Sequence, residues 1–227
     1  MTPDTAPLAR RRRQRLSEDQ RRAQIINGCL DVLARDGYRS ASVARIAEAA
    51  GVSKGLLAHY FTDKETLFGE VVRSTATRTN DIVDTVTAMM SETKFAEGGL
   101  GELARLLVTM LLDDDLLKLR RLIIANADRM PELGRDWYEK GFERMLATMA
   151  SCFRKLSAQG LMQASDPHLA ASHFFGMLLW IPMNEAMFTG SRTPRSKAEL
   201  ERHADASVEA FLVIYGAKLR PQQDGTR

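Results

Sequence analysis

Residues 42–61 read SVARIAEAAGVSKGLLAHYF, and this segment predicts two short helices joined by a tight turn. Ser42 and Ser53 each stand where a side chain can cap the start of a helix. Gly51 lies between the two helices and can adopt the left-handed backbone conformation that a sharp turn requires. The predicted inward-facing positions are Val43, Ile46, Ala47, Ala50, Leu57 and Phe61. Two such helices around a glycine are typical of a helix-turn-helix.

In a helix-turn-helix, the second helix enters the major groove and presents its N-terminal part to the base edges. The expected base-facing residues are Lys54, Gly55, Leu56, Ala58 and His59. Lys54 can reach a phosphate or a guanine edge, whereas Leu56 and Ala58 offer only apolar contact. The expected phosphate contacts are Tyr60 and Lys64 on one side and Ser42 and Arg45 on the other. On this pattern alone, a helical hairpin that binds nothing is the alternative.

Positive charge is concentrated in the N-terminal part of the chain. Residues 1–61 contain eleven Lys and Arg against six Asp and Glu, although the net charge of the whole chain is only +3. Five of these arginines, Arg10 to Arg13 and Arg15, lie in residues 1–16, which we expect to form a disordered basic arm. Such an arm can lie in a minor groove. The charge imbalance indicates a polyanionic partner such as double-stranded DNA.

Beyond the arm, apolar residues recur at three- and four-residue steps. This periodicity predicts an all-α protein with about nine helices and no strand. Helix starts are expected at Ser17, at Asp166 and at Ser196, because each offers a capping side chain. We expect a three-helix helix-turn-helix domain over residues 17–65. A larger helical bundle over residues 66–220 would then serve dimerisation and effector binding.

Residues 47–61, together with the sequence DKETL at residues 63–67, closely resemble the DNA-binding domain of the TetR family of bacterial regulators. The resemblance implies an all-helical homodimer in which three DNA-binding helices precede a ligand-binding bundle, and it implies a repressor. Many members have a threonine and a tyrosine where this chain has Leu56 and Ala58, so the family's base contacts do not carry over there. Residues 119–133 are similar to the effector domain of the AefR-like branch of this family.

The predicted effector site lies in the C-terminal domain. Residues 132–159 indicate one amphipathic helix, and residues 168–189 indicate a helix with two apolar stripes, one of which needs a partner or a ligand. The candidate ligand-binding residues are Tyr138, Phe142 and Met145 on the first helix and His173, Met177, Trp180 and Asn184 on the second. Eleven methionines suit an adaptable pocket for a small apolar or amphipathic effector. Ordinary core and interface packing is the alternative for each of these residues.

These features together predict a ligand-responsive transcriptional regulator. We expect a repressor that binds a palindromic operator as a homodimer through its last two helices, about residues 168–189 and 197–215. A bound effector is expected to push the helix that begins near Lys64 and so to change the spacing of the two recognition helices. The alternative is a nonspecific or architectural DNA-binding protein, which the arginine arm alone would support.

Other functional classes find little support in the residues. We find no paired carboxylates, activated nucleophile, metal-ligand spacing or phosphate loop, so no enzyme, catalytic residue, metal or cofactor is predicted. Tyr138 and His173 are the only, weak catalytic candidates. Cys29 and Cys152 are expected to be buried apolar side chains. No apolar run approaches the ~20 residues that cross a bilayer, so we expect a cytoplasmic protein without membrane contact.

Overall fold

The computed structural model describes residues 16–91, 99–190 and 195–216, and these residues form ten α-helices and no strand. The helices are α1 (Glu18–Ser40), α2 (Val43–Ala49), α3 (Lys54–Tyr60), α4 (Lys64–Ser91), α5 (Gly99–Leu111), α6 (Asp114–Asn126), α7 (Pro131–Trp137), α8 (Arg144–Ala158), α9 (Pro167–Thr189) and α10 (Lys197–Tyr215). This architecture confirms the predicted all-α fold. The five arginines of the predicted basic arm lie outside the described residues.

The predicted helix over residues 132–159 is helical throughout, but its middle is not an α-helix. Tyr138–Glu143 form a π-helical segment between α7 and α8. The wider turn rotates the side chains on either side of it relative to a regular α-helix, and such segments are frequent at functional sites. The single helix that the sequence predicts is therefore two helices, which explains why ten are observed where about nine were expected.

The predicted helix starts are confirmed. At α1, Ser17 Oγ accepts a hydrogen bond from Gln20 N at 3.2 Å, and Ser17 N donates to Gln20 Oε1 at 3.0 Å. Ser196 and Glu199 form the same reciprocal pair at the start of α10. Asp166 accepts hydrogen bonds from the first backbone N–H groups of α9. These side chains satisfy backbone donors that have no partner inside the helix.

Buried side chains of the N-terminal helices form a first core. It contains residues of α1 to α4 and also Leu119, Leu122 and Ile123 of α6. The N-terminal helices therefore do not close on themselves, because α6 completes their core. Cys29 is buried here, and burial raises the pKa of its thiol to about 12, as expected for an inert apolar side chain.

A second core fills the bundle of α5, α8, α9 and α10, to which α4 also contributes. At its centre Phe153, Phe174 and Phe211 pack with ring centroids 5.2 to 5.7 Å apart. Cys152, the residue before Phe153, is also buried, and burial raises the pKa of its thiol to about 11. Across the described residues, no helix combines the length and the hydropathy needed to cross a bilayer.

Candidate DNA interface and effector pocket

The segment over residues 42–61 folds as the predicted helix-turn-helix. Ser42 Oγ accepts from Arg45 N at 3.3 Å, and Ser53 Oγ accepts from Leu56 N at 3.1 Å, so both serines cap their helices. Gly51 has a φ of 64°, a backbone conformation that costs a glycine little. The inward-facing residues confirmed as buried are Ile46, Ala47, Ala50, Leu57 and Phe61. Val43 was predicted to be buried but is 39% exposed, because the first turn of α2 extends beyond the core.

Helix α1 supports the turn from behind at a glycine. A Cβ built on Gly28 would lie 2.7 Å from both Cα and N of Ala50, so only a glycine allows this approach of α1 to the end of α2. Next to it, Gln24 Nε2 donates to the Ala50 carbonyl at 2.6 Å. Neither Gly28 nor Gln24 was predicted from the sequence. A glycine in the interior of a helix was the available signal, because it costs about 1 kcal/mol of helix propensity and so needs a packing reason.

The proposed base-facing side of α3 is accessible. Lys54, Gly55, Ala58 and His59 are exposed, while Leu56 is half-buried. Tyr60 is also half-buried and packs against the first core, and its ring meets His59 edge-on at a centroid distance of 5.5 Å. The face therefore combines one ammonium, one imidazole and small apolar groups.

The predicted phosphate contacts differ in their surroundings. Ser42 and Arg45 are exposed at the start of α2, and the Arg45 guanidinium lies 2.9 Å from the carboxylate of Asp36. Lys64, by contrast, points back to the end of α1. Its ammonium donates to the carbonyls of Tyr38 at 2.6 Å, Ala41 at 3.0 Å and Arg39 at 3.4 Å. An ammonium has three N–H donors, so these carbonyls use the donors that a phosphate would need.

A pocket of about 940 Å³ opens between α6, the π-helical segment with α8, and α9. Its described lining residues are Leu111, Leu116, Arg120, Ile124, Trp137, Tyr138, Gly141, Phe142, Glu143, Met145, Leu146, Ala147, His168, Ser172, Phe175, Gly176, Leu179, Trp180, Met183, Asn184 and Met187. Such a volume suits a small-molecule ligand. Within the described residues, no group of three or more His, Cys, Asp or Glu is arranged to hold a metal ion.

Five of the seven candidate ligand residues line this pocket: Tyr138, Phe142, Met145, Trp180 and Asn184. The stacked rings of Tyr138 and Phe142 lie 5.4 Å apart on the π-helical segment. The other two candidates, His173 and Met177, are not among the lining residues. The Nδ1 atom of His173 lies 2.6 Å from the Tyr215 hydroxyl of α10, and Met177 packs against the second core.

The pocket face of α9 is rotated from the stripe that the sequence analysis chose. Its lining residues are His168, Ser172, Phe175, Gly176, Leu179, Trp180, Met183, Asn184 and Met187. Helix α9 carries apolar side chains on nearly every side, so the periodicity of its apolar residues does not identify one buried face. The sequence also did not predict the wall formed by Arg120 of α6 and Trp137 of α7, where the guanidinium carbon lies 5.0 Å from the indole centroid.

A second feature of the last two helices is a row of exposed apolar side chains. Trp180 is 69% exposed, Phe188 86% and Val213 83%. Ile181, Leu212 and Ile214 are exposed beside them on the same two helices. Exposed apolar side chains of this size are candidates for an interaction surface.

Sequence comparisons identify the family. The family model for bacterial regulatory proteins of the tetR family matches residues 25–71. The model for the C-terminal domain of AefR-like transcriptional repressors matches residues 98–217, more than half of the chain. The chain belongs to the TetR family of transcriptional regulators. Both resemblances seen in the sequence are thereby confirmed, and the helix-turn-helix described above is the family's DNA-binding element.

Similar proteins and solved structures agree with this assignment. A TetR-family transcriptional regulator from Mesorhizobium loti MAFF303099 is 62% identical, with a TM-score of 0.78 over 89% of this chain and 100% of that chain. The regulator FadR from Bacillus subtilis, in complex with stearoyl-CoA, is 19% identical with a TM-score of 0.63 over 83% of this chain and 96% of that chain, a likeness of fold alone. The HTH-type transcriptional repressor AcnR of Corynebacterium diphtheriae is 32% identical over 119 residues, 52% of this chain. The chain spans 56% of the length of AcnR.

Proposed function

We propose that this TetR-family protein is a ligand-responsive transcriptional repressor of the cytoplasm. It binds a palindromic operator as a homodimer and releases it when a small amphipathic effector enters the pocket. The observation that carries the proposal is the position of α6. Leu119, Leu122 and Ile123 of this helix belong to the first core, while Leu116, Arg120 and Ile124 line the pocket. An effector that moves α6 therefore disturbs the packing beneath the DNA-binding helices.

The operator contacts that we propose follow from exposure and charge. The exposed residues of α3 read the bases, with Leu56 and Ala58 limited to apolar contact such as a thymine methyl. Ser42 and Arg45 contact phosphates, and Arg45 exchanges its Asp36 partner for a phosphate on binding. Lys64 is omitted from this set, because its ammonium is engaged by the carbonyls at the end of α1.

A homodimer through α9 and α10 is supported by the exposed apolar row on these helices. Phe188 and Val213 are more than four-fifths exposed, and side chains of this size are stabilised by about 1.5–3 kcal/mol each when fully buried. When two chains pair about a two-fold axis, the same surface of each chain is buried at the same time. It also sets two recognition helices at a fixed separation, as a palindromic operator requires.

Coupling between pocket and operator is proposed to pass through α6 rather than directly through α4. Among the α4 side chains that the structure describes, none lines the pocket. Helix α6 is tied to both sides instead. Lys118 Nζ lies 3.0 Å from the Asp31 carboxylate of α1, and Arg121 Nη2 donates to the Ala186 carbonyl of α9 at 2.7 Å. A shift of α6 thus pulls on α1, which supports the turn at Gly51.

The decisive experiment measures binding of the purified protein to DNA from upstream of its own gene, by fluorescence anisotropy with unlabelled bulk DNA as competitor. A specific repressor prefers its operator by about a thousandfold or more, and two subunits bind each palindrome. Lys54→Ala is expected to weaken operator binding without loss of stability, whereas Lys155→Ala, an exposed control on α8, leaves it unchanged. Equal affinity for operator and bulk DNA would instead establish the architectural alternative.

Effector response is tested on the same complex. A compound that binds the pocket and weakens operator binding tenfold must itself bind the operator complex ten times more weakly than the free protein, since coupling is reciprocal. Constant operator affinity in the presence of saturating pocket ligand contradicts the proposed response, while leaving DNA binding itself intact.

A further inference from the structure

The pocket contains a cation that the apolar lining does not explain. Arg120 projects from α6 into the wall and is mostly buried. No carboxylate lies within ion-pair distance of it, and it makes no hydrogen bond within the described parts of the chain. Its one described partner is the face of Trp137, 5.0 Å from the guanidinium carbon to the ring centroid. Arg22, Arg105 and Arg195 show the usual alternative, since each is paired with a carboxylate at 2.6–2.7 Å.

A mostly buried cation without an acidic partner is costly, because the guanidinium has lost part of its water without gaining an opposite charge. Burial accordingly lowers the pKa of Arg120, although it remains charged at neutral pH. Contact with the Trp137 face offsets part of this cost. The five N–H donors of the guanidinium have no protein acceptor among the described residues, so they are available to a ligand. The only carboxylate among the lining residues is Glu143, which is exposed at the end of the π-helical segment and forms no ion pair with Arg120.

A second donor in the same wall also lacks an acceptor. Trp137 Nε1 is buried and has no hydrogen-bond partner among the described residues. Buried polar atoms of this kind are rare, but protein atoms cover this one, so the donors that a ligand can reach on this side of the pocket are those of Arg120. The rest of the α9 wall is mainly apolar, with Phe175, Leu179 and Met183. One side of the pocket therefore offers the guanidinium of Arg120, and the other offers a mainly apolar surface.

We propose that the effector is an amphipathic carboxylate, whose headgroup pairs with Arg120 and whose apolar body lies against α9. A carboxylate matches the planar fork of a guanidinium with two parallel hydrogen bonds. This inference rests on the proposed function only in calling the ligand an effector. Binding of the ligand to the pocket does not depend on DNA and can be measured on the protein alone.

The test uses three probes with the same twelve-carbon chain: dodecanoate, dodecanol and dodecylammonium. The chain has two tryptophans, Trp137 and Trp180, and both line the pocket, so intrinsic fluorescence reports binding directly. We expect dodecanoate to bind the full-length protein about 10- to 100-fold more tightly than dodecanol, as a charge-assisted hydrogen bond implies. Dodecylammonium is expected to bind most weakly, because Arg120 repels it.

Arg120→Met is expected to abolish the preference for dodecanoate and to leave dodecanol affinity within about threefold. Arg120→Lys keeps the charge without the fork and should retain part of the preference. Arg154→Met, at an exposed arginine of α8 outside the pocket, should behave as the unmodified protein. Circular dichroism confirms that each variant is folded.

Equal affinity for dodecanoate and dodecanol overturns the inference, as does a preference that survives Arg120→Met or a failure of dodecanoate to bind. If dodecanoate binds through Arg120 but operator affinity does not respond to it, the inference stands and the proposed regulation by this ligand fails. The two claims are therefore distinguishable on the same preparation.

Discussion

Gly28→Ala tests whether the close approach of α1 to the end of α2 positions the recognition helix. The new methyl carbon would lie 2.7 Å from Cα and N of Ala50 and 2.8 Å from its Cβ. Ordinary van der Waals contact begins near 3.4 Å, so the two helices must separate by about 0.7 Å. That movement also strains the hydrogen bond from Gln24 to the Ala50 carbonyl, now 2.6 Å long.

Two opposing effects set the size of the loss. Replacing a helical glycine by alanine stabilises a helix by about 1 kcal/mol. Overpacking of a close-packed contact costs about 1–3 kcal/mol, and more where the obstructing atoms belong to the backbone. Because two of the three nearest atoms are backbone atoms, we expect a net loss of about 1–2 kcal/mol in the free energy of unfolding. Operator affinity should fall more than tenfold, since Ala50 immediately precedes the turn at Gly51.

The assay is urea denaturation followed by circular dichroism, together with operator binding by fluorescence anisotropy. Gly101→Ala is the matched control, because a Cβ there meets nothing within 4 Å, and it should be neutral or stabilising by up to about 1 kcal/mol. Adding Ala50→Gly to Gly28→Ala should restore little, since the Cα and N contacts of residue 50 remain. Unchanged stability and unchanged operator affinity in Gly28→Ala would refute the argument.

Three further predictions concern charge and association. Lys64→Met should lower the free energy of unfolding by about 1–3 kcal/mol, because it leaves the carbonyls at the end of α1 without their donor. Lys54→Met, at an exposed lysine, should change the free energy of unfolding by less than about 0.5 kcal/mol. Equal effects of the two substitutions would exclude a role for Lys64 in capping the end of α1. The hydrogen bond from Arg22 lowers the pKa of Glu70, and Arg73 adds to this effect while desolvation opposes it. The contribution of the ionised Glu70 to stability is therefore present above about pH 4.5 and is lost as the pH falls below it. Urea denaturation from pH 6 to pH 3 should show a smaller loss of unfolding free energy for Glu70→Gln than for the unmodified protein, and equal losses would contradict this. Phe188→Asp should shift the protein from dimer to monomer in analytical ultracentrifugation, and a dimer of unchanged affinity would place the interface elsewhere.

The sequence predicted the DNA-binding half more fully than the pocket, and the reason is local. Around Gly51 the determinants lie within twenty residues of one another: two serine caps, one glycine turn and a few buried apolar positions. Each acts on its neighbours in the chain, so spacing alone specifies the geometry. The positions that depend on distant contacts were not visible, such as Gly28, which matters because Ala50 packs against it.

Lys64 is a second residue whose role depends on contacts with residues distant in the sequence. Its charge and its place at the start of a helix near the recognition helix indicate a phosphate contact when only the sequence is read. The three carbonyls that receive its N–H groups belong to residues 38–41, more than twenty positions earlier in the chain. Whether a lysine is free for DNA depends on acceptors that sequence distance conceals.

The pocket was predicted in its composition but not in its orientation. Periodicity identifies the face of a helix that is apolar, and α9 is apolar on nearly all sides because it meets a core, a pocket and an exposed face. His173 and Trp180 were assigned to one stripe, yet the first contacts α10 and the second borders the pocket. The π-helical segment adds a further rotation that a regular helical period cannot represent.

In the proposed mechanism, the pocket influences DNA binding because α6 is divided between two surroundings. A helix whose whole apolar face lay in the bundle would transmit nothing to α1, because the first core would be complete without it. Leu119, Leu122 and Ile123 instead fill that core, so we expect a headgroup that draws Arg120 toward it to displace these side chains against their neighbours as well. Packed cores resist small displacements and switch between discrete arrangements. We therefore expect the cation in the pocket wall and the side chains that complete the core of the DNA-binding helices to move together, because less than one turn of α6 separates them.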